Sequence, residues 1–188
     1  MKNKIILLIL LFLIPNNIIA KTFHLKDTDL NIDLGENKNW LIFTPDNLKG
    51  NKNLDKIKVK YQYIKAFLDR NDVYMVAVND DIKMIVSKEH TYNYTNLSIK
   101  GPKEVHKYAA KLTNDEYIIY TNDYKYILLT YEKEPYEIMA FYTVINNDEY
   151  IIKFKKRNKF NEEDEKKIYN IINHITYDLR EEKLSNIW

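Results

Sequence analysis

Histidines are the side chains of this 188-residue sequence with the most direct use in acid–base or metal chemistry. There are four of them: His24, His90, His106 and His174. No two stand at a metal-ligand spacing such as H-E-x-x-H, so the sequence predicts no metal site from them. Ser87, His90 and Asp80 together hold the functional groups of a hydrolytic triad, but no G-x-S-x-G motif surrounds Ser87. We interpret this trio as a chance combination and predict no catalytic residue.

Carboxylates are the second kind of group that can bind a ligand. Asp80 and Asp81 offer two of them to a hard cation, but the further oxygen ligands and the glycine of an EF-hand loop are missing. A hairpin turn is the better interpretation of this pair. The acidic run Glu162–Glu165 precedes an apolar stripe at helical spacing. Acids suit the positive end of a helix, so this run predicts a solvated helix start.

Tyrosine is unusually frequent, with 16 residues in the chain. Most of these residues lie in the stretch that we predict to form strands. Tyrosine is enriched both on sheet faces and at protein interfaces. We interpret the majority as half-buried sheet positions. The alternative, which the sequence leaves open, is a tyrosine-lined binding surface that includes Tyr92, Tyr94, Tyr124 and Tyr136.

Residues 1–20 have the layout of a secretory signal peptide. Lys2 and Lys4 give a basic start, Ile5–Ile14 is an unbroken apolar run, and the segment ends on the small residue Ala20. The apolar run is too short for a bilayer core, which needs about 20 residues. We therefore predict export with cleavage after Ala20. Because Ile18 is bulkier than a cleavage site prefers, an uncleaved signal anchor is the alternative.

Charge and cysteine content exclude several classes of function. The chain holds 29 lysine and arginine residues against 27 aspartate and glutamate residues. Two of the lysines lie in the predicted signal, so the remainder is balanced, which removes the electrostatic case for nucleic-acid binding. No cysteine is present, which excludes disulfides, thiol chemistry and a lipid-modified N-terminal cysteine. Lysine far outnumbers arginine, which we attribute to an AT-rich coding sequence.

Apolar periodicity predicts helices and strands across residues 21–188, which we assign to one domain. The predicted helices are Asn53–Asp69, Pro102–Leu112 and Asn161–Thr176. The predicted strands are Phe23–Leu25, Leu30–Leu34, Trp40–Thr44, Val73–Asn79, Ile82–Ser87, Tyr117–Thr121, Tyr124–Tyr131, Tyr136–Ile145 and Glu149–Lys155. Both alternating sets of side chains are apolar in Glu137–Ile145, which indicates a central strand buried on both faces. The sum predicts an α+β fold, an antiparallel β-sheet flanked by helices in a helix/sheet/helix sandwich.

Four segments of the chain resemble the PsbP-like proteins, which share their fold with the Mog-type Ran-release factors. They are Trp40–Asp46, Asn71–Val78, Phe141–Asn147 and Ile172–Tyr177, in family order. The chain is most similar to small exported bacterial members of this group. The resemblance implies an antiparallel sheet flanked by helices and an extracytoplasmic protein that assists a larger assembly. It implies no catalytic residues and no cofactor.

The sequence as a whole predicts an exported, non-enzymatic binding or assembly-accessory domain. Its expected partner is an envelope or secreted protein, with no nucleic acid, no cofactor and no membrane span after signal cleavage. The alternative is a secreted hydrolase whose site is assembled from residues distant in sequence. For that enzyme His90, His106 and the Asp80-Asp81 pair are the first residues to test.

Overall fold

The computed structural model describes residues 22–34, 39–57, 60–70, 72–90, 103 and 117–179. Strands hold about half of these residues and helices about a fifth. The strands are β1 (Thr22–His24), β2 (Leu30–Asp33), β3 (Leu41–Phe43), β4 (Val73–Asn79), β5 (Ile82–His90), β6 (Ile118–Thr121), β7 (Lys125–Lys133), β8 (Tyr136–Ile145), β9 (Asp148–Arg157) and β10 (Ile175–Tyr177). The helices are α1 (Tyr61–Arg70) and α2 (Glu162–Asn173). No helix within the described ranges is long and apolar enough to cross a membrane.

Seven strands form one antiparallel sheet in the order β3-β4-β5-β9-β8-β7-β6. Its tight turns form where the sequence predicts them, at Asn and Asp residues that tolerate a left-handed backbone. Asp80, at φ 50°, connects β4 to β5. Asn146 and Asn147, at φ 52° and 68°, connect β8 to β9. The hairpin predictions at these two turns are confirmed.

A second sheet has three antiparallel strands, with β2 between β1 and β10. Ile32 on β2 lies opposite Ile175 on β10, so the two ends of the described chain meet in this sheet. Leu30 and Ile32 are fully buried, whereas Asn31 between them is half-buried. The alternation that the sequence predicts for β2 therefore directs its apolar side chains into the core.

One buried cluster contains side chains from both sheets and from α2. Phe141 on β8 is fully buried within it. The Phe141 ring contacts Tyr126, Phe154 and Tyr169 edge-on, with each pair of ring centroids 6.1 Å apart. Edge-to-face pairs add about 0.5–1.5 kcal/mol each beyond their buried area. The aromatic side chains therefore contribute to the stability of this core as well as to its volume.

The predicted helix Asn53–Asp69 is wrong in its first half. A 3-10 turn occupies Lys52–Leu54 and is capped by Asn51, and α1 begins only at Tyr61. Part of the apolar stripe is nevertheless buried in one cluster, because spacings of three and four fit two short helical pieces on one face as well as a single helix. Tyr61 and Phe67, which also lie on the stripe, are exposed. The cluster consists of Phe43, Leu48, Ile64, Leu68 and Val73, with Leu54 and Ile57 packed against it.

Helix α2 begins where the sequence predicts but ends earlier. The Asn161 side chain accepts a hydrogen bond from the Asp164 backbone N–H, and the Asp164 carboxylate accepts one from the Asn161 N–H, which forms a capping box. The helix ends at Asn173, and His174 is its C-cap. Ile175, which we predicted on the helical stripe, lies instead in β10. That prediction is wrong because the residues after His174 pair with β2.

The helix/sheet/helix sandwich predicted from the sequence is also wrong. The described chain is mostly β, with a three-stranded and a seven-stranded sheet and two short helices. We expected each amphipathic helix to form its own layer on the sheet. Instead, α2 packs in the same core as β1, β2 and β10. Pairing between β2 and β10 joins residues from opposite ends of the chain, and no local pattern reports it. The predicted signal peptide and, apart from residue 103, the predicted helix Pro102–Leu112 lie outside the described residues.

Candidate functional site

Lysine side chains gather on the face of the large sheet that is opposite the main core. Phe154 of β9 is fully buried in that core. Side chains alternate along a strand, so its neighbours Lys153 and Lys155 lie on the opposite face. Lys83 of β5 lies directly opposite Lys155 in the β5–β9 ladder and therefore shares this face. Three lysines from two neighbouring strands thus lie side by side.

A tyrosine and a fourth lysine complete this group. The Tyr136 ring centroid on β8 lies 4.6 Å from Lys155 Nζ and 5.7 Å from Lys83 Nζ, within the range of cation–π attraction. Lys133 on β7 lies opposite Tyr136 in the β7–β8 ladder. We call Lys83, Lys133, Tyr136, Lys153 and Lys155 the lysine–tyrosine face.

The lysines of this face have no carboxylate partner among the described residues. Each salt bridge in the described part of the chain involves another cation. The carboxylates closest in the ladder are turned to the other side of the sheet and are occupied there. Glu132 pairs with Lys159 at 3.3 Å, and Glu137 accepts a hydrogen bond from the Phe160 backbone N–H. The positive charge of the face is therefore not neutralised by these groups.

The pKa values of two β9 lysines, Lys153 and Lys155, are lowered in this arrangement. Burial lowers the pKa of Lys153, and the charge of Lys133 lowers it further. Burial also lowers the pKa of Lys155; Tyr136 opposes this effect, while Lys83, Lys153 and Lys133 add to it. Like charges directly opposite one another destabilise a sheet. An anion bound among these lysines removes that repulsion.

The remainder of this sheet face is largely apolar. Ile127 and Val144 are fully buried there, and Tyr142 packs against them. Burial raises the pKa of Tyr142 to about 12. Glu89 lies opposite Glu149 at the far end of the β5–β9 ladder. Four lysines are therefore concentrated at one end of the face, whereas Glu89 and Glu149 lie at the other end, on the same side of the sheet as Lys125.

Two cavities of the structure are lined by charged residues. A groove of about 330 Å³ adjoins Tyr136 and is lined by Glu132, Glu134, Pro135, Glu137, Asn158 and Lys159. A smaller cavity of about 100 Å³ is lined by residues of the β1–β2 turn and by Thr44, Pro45, Asp46 and Tyr74. The Lys26 and Asp46 side chains pair beside the smaller cavity at 3.7 Å. The carboxylates of the larger groove mark the border of the lysine–tyrosine face.

Of the four tyrosines of the predicted binding surface, the structure describes Tyr124 and Tyr136, which have different surroundings. Tyr124 is half-buried, its ring meets Tyr177 edge-on at 4.8 Å, and its hydroxyl accepts a 3.1 Å hydrogen bond from the Tyr177 backbone N–H. It therefore attaches β10 to the large sheet. Tyr136 belongs to the lysine–tyrosine face. Tyr92 and Tyr94 lie outside the described residues.

Other tyrosines form part of the core. Tyr126 and Tyr150 are fully buried and Tyr177 is 5% exposed. The Tyr126 hydroxyl donates to the Tyr177 hydroxyl at 3.4 Å, and the Tyr150 hydroxyl accepts from the Asp29 backbone N–H at 2.9 Å. Burial raises the pKa of Tyr126 and of Tyr177 well above the ordinary value of 10.0. All three lie on strands, but they are buried in the core, whereas we interpreted most tyrosines as half-buried sheet positions.

The candidate catalytic residues that the structure describes are dispersed. His24 is exposed and its Nδ1 lies 2.9 Å from Asn31 Oδ1, while exposed His174 has Nδ1 2.7 Å from the Asn170 carbonyl oxygen. His90 ends β5, and His106 lies outside the described residues. Asp80 lies in the turn two residues before Ile82, the first residue of β5, and the strand from Ile82 to Ser87 rises about 17 Å at 3.4 Å per residue. The Ser87, His90 and Asp80 trio is therefore not assembled.

The Asp80-Asp81 pair forms the turn between β4 and β5. The Asp81 carboxylate lies 3.7 Å from Lys156 Nζ on β9, so it faces a cation of the protein. Within the described ranges, no group of three or more His, Cys, Asp or Glu side chains is placed to hold a metal ion. The Glu162–Glu165 run forms the first turn of α2, as predicted, but Asp164 within it is buried and accepts a hydrogen bond from Lys156, so the run is not wholly solvated.

Comparison with protein-family models gives no match. No curated protein matches the sequence either. The PsbP-like resemblance therefore stays a prediction, and the sandwich that it implies is not the architecture found.

Sequence reasoning missed the lysine–tyrosine face. We attributed the lysines to codon usage, because a lysine on the outer face of a strand is ordinary. The available signal was the alternation Lys153-Phe154-Lys155, which places both lysines on one face of a strand. The pairing of Lys155 with Lys83 depends on the β5–β9 register, which joins distant parts of the chain.

Proposed function

We propose that this protein is an exported, non-enzymatic binding module whose lysine–tyrosine face binds an anionic ligand. The observation that carries the proposal is the direct opposition of Lys83 and Lys155, with Lys133 and Lys153 adjacent and no described carboxylate paired to any of them. In a chain whose charges otherwise balance, this concentration of one sign gives an anion a specific place to bind.

The stability cost of the arrangement supports a role in binding. Like charges opposed across a sheet are destabilising, and partial burial of an ammonium group adds a desolvation cost. Tyr136 offsets only part of this through cation–π attraction. An anionic ligand supplies the missing counter-charge. The face is thus better suited to a bound state than to the free protein.

The location of the protein is part of the proposal. The layout of Met1–Ala20 supports export, and the resemblance to small exported proteins that assist larger assemblies agrees with a binding role. N-terminal sequencing of protein recovered from an expressing culture should begin at or near Lys21. Recovery of Met1 in a membrane fraction would contradict signal removal and favour a signal anchor.

Binding to an immobilised sulfated polyanion tests the anionic-ligand proposal. The purified protein should be retained at low salt and elute as salt screens the charges. The double variant Lys83→Glu/Lys155→Glu should elute at clearly lower salt. Lys49→Glu/Lys52→Glu, which makes the same change of net charge at two exposed lysines, is the matched control and should elute at higher salt than the face variant. Equal retention of the double variant and the unaltered protein would refute the assignment of the face.

A further inference from the structure

Resting on the proposed function, we infer that the lysine–tyrosine face is a site for the phosphate or sulfate group of a small soluble ligand, held among Lys83, Lys153 and Lys155 beside the Tyr136 ring. This inference specifies the chemistry of the anion, its size and the side chains that bind it.

The number and type of cations favour a compact group with two negative charges. A carboxylate carries one charge and is best matched by the planar fork of an arginine, whereas lysine presents a point charge suited to phosphate. The four residues that define the positive charge of the face are lysines, and Arg157, two residues beyond Lys155, lies at the end of β9 on the same side of the strand. One dianionic group offsets two of these charges and offers several acceptor oxygens to the ammonium groups.

The spacing of the lysines fits one such group. Lys83 and Lys155 are directly opposed, a relationship in which Cβ atoms are about 4.5–5.5 Å apart. Lys153 and Lys155 are two residues apart on one strand, or about 6.8 Å. The flexible lysine stems therefore bring all three ammonium groups within reach of a single oxyanion. An extended polyanion is not needed to satisfy them.

The burial of the lysines favours a small ligand over a flat membrane surface. Lys153 and Lys155 are half-buried, while Lys83 and Lys133 on either side are exposed. A bilayer surface contacts the charges that protrude, whereas a small anion can approach those that are recessed. In the ladder, Lys155 lies opposite Ile138, which lies opposite Tyr131. Tyr131 is 37% exposed, so it offers an aromatic surface beside the anion for the organic part of a ligand.

Calorimetric titration at about pH 8 with sodium phosphate and with sodium sulfate, against sodium chloride at matched ionic strength, tests the inference. Both oxyanions should bind and chloride should not. In Lys83→Met/Lys155→Met, affinity should fall about tenfold or more, because charged hydrogen bonds are lost. Lys49→Met should leave affinity unchanged. If phosphate and sulfate give no more heat than chloride, the inference is overturned.

The outcome for the proposed function is read separately. In one outcome, the unaltered protein binds neither phosphate nor sulfate but is still retained on the polyanion through the lysines. That result would overturn the compact site and leave the proposed function standing. If the oxyanions do not bind and retention on the polyanion does not depend on the lysines, both the compact site and the proposed function are refuted. Sedimentation with vesicles of an anionic phospholipid is the third arm: lysine-dependent sedimentation that phosphate does not displace would overturn the small-ligand inference in favour of a lipid surface.

The pH dependence adds a readout that a purely structural role would not give. Lys83 from β5, Lys133 from β7 and Tyr136 from β8 are the titratable groups of the other strands that act on Lys155. Lys153 and Lys155 have pKa values below 10.5 in the free protein, and an anion favours their charged form. Affinity for sulfate, whose own charge is constant, should therefore fall as pH rises from about 8 to about 10.5. A constant affinity over this range would contradict binding at Lys153 and Lys155.

Discussion

Lys83 on β5 and Lys155 on β9 are directly opposed in the large sheet, and the ring of Tyr136 lies beside both ammonium groups. Two like charges in this relationship repel each other, and the described residues provide only an aromatic ring to offset them. A core built for stability alone does not require such a pair. The pair is therefore the feature of the fold that most directly indicates a ligand.

The first prediction concerns the stability of the unbound protein. Lys83→Ala should leave the free energy of unfolding unchanged or raise it by up to about 1 kcal/mol, because it removes repulsion with Lys155. Chemical denaturation in chloride buffer measures this change. Lys49→Ala, the exposed control, should stay within about 0.5 kcal/mol. A loss above about 1 kcal/mol in Lys83→Ala would show that the lysine is structural.

The second prediction concerns the start of α2. Asp164 is buried, completes the capping box and accepts a 2.5 Å hydrogen bond from Lys156 Nζ. Asp164→Ala should lower the free energy of unfolding by about 2–4 kcal/mol, since it removes a cap and leaves Lys156 without its closest partner. Glu163→Ala breaks only an exposed pair with Lys167 at 2.9 Å and should cost about 0.5 kcal/mol or less.

The acid limit of stability follows from the same residue. Burial alone raises the pKa of Asp164, but the hydrogen bond from Asn161 and the interaction with Lys156 lower it overall from 3.8. The Asp164 contribution is therefore complete above pH 3.8 and is lost as the pH falls through the lower folded-state value. Acid titration followed by circular dichroism should show a weaker pH dependence in Asp164→Ala than in the unaltered protein. Identical slopes would contradict this assignment.

The third prediction tests the two core clusters. Ile171 of α2 is 1% exposed in the main core and Ile64 of α1 is 8% exposed in the smaller cluster. Replacement of either by Ala should cost roughly 2–5 kcal/mol, as core truncations do. Ile118 on β6 is 62% exposed, and Ile118→Ala is the matched control with an expected change within about 0.5 kcal/mol. Surface-like values at both Ile171 and Ile64 would contradict the packing.

The fourth prediction concerns alkaline pH. Burial raises the pKa of Tyr142 to about 12 from its ordinary 10.0, whereas the unfolded chain ionises near that ordinary value. Stability from the neutral hydroxyl is therefore complete below pH 10 and is lost as the pH rises toward 12. Phenolate absorbance should show Tyr142 ionising late, and Tyr142→Phe should reduce the alkaline loss of stability. An unchanged alkaline slope in that variant would be evidence against the burial assigned to Tyr142.

The fifth prediction concerns the non-enzymatic role. His90→Ala, His106→Ala and Asp81→Ala should each leave anion binding and any measured activity of the protein intact, because the proposed function assigns anion binding to the lysines of the lysine–tyrosine face. Calorimetry and thermal denaturation of the same samples separate a functional loss from unfolding. Abolished function in a folded histidine variant would favour the hydrolase alternative.

Features fixed by neighbouring residues were predictable from the sequence, and features fixed by distant ones were not. The turns at Asp80 and Asn146 and the cap at Asn161 are local, and each forms where the sequence predicts it. The predicted start of the first helix was wrong, because apolar residues spaced by three and four do not show whether a helix is continuous. The candidate site was missed because it depends on distant residues: Lys83 and Lys155 are opposed only after β5 and β9 pair.

The three-stranded sheet affects the order in which parts of the chain can fold. β2 lies near the beginning of the sequence, and its partner β10 lies near the end, with Ile32 opposite Ile175. A chain that is synthesised or transported from its N-terminus cannot complete this sheet until its last strand has emerged. Leu30 and Ile32 stay uncovered by β10 until that moment. The three-stranded sheet is therefore completed late, because its β2–β10 pairing joins residues far apart in sequence.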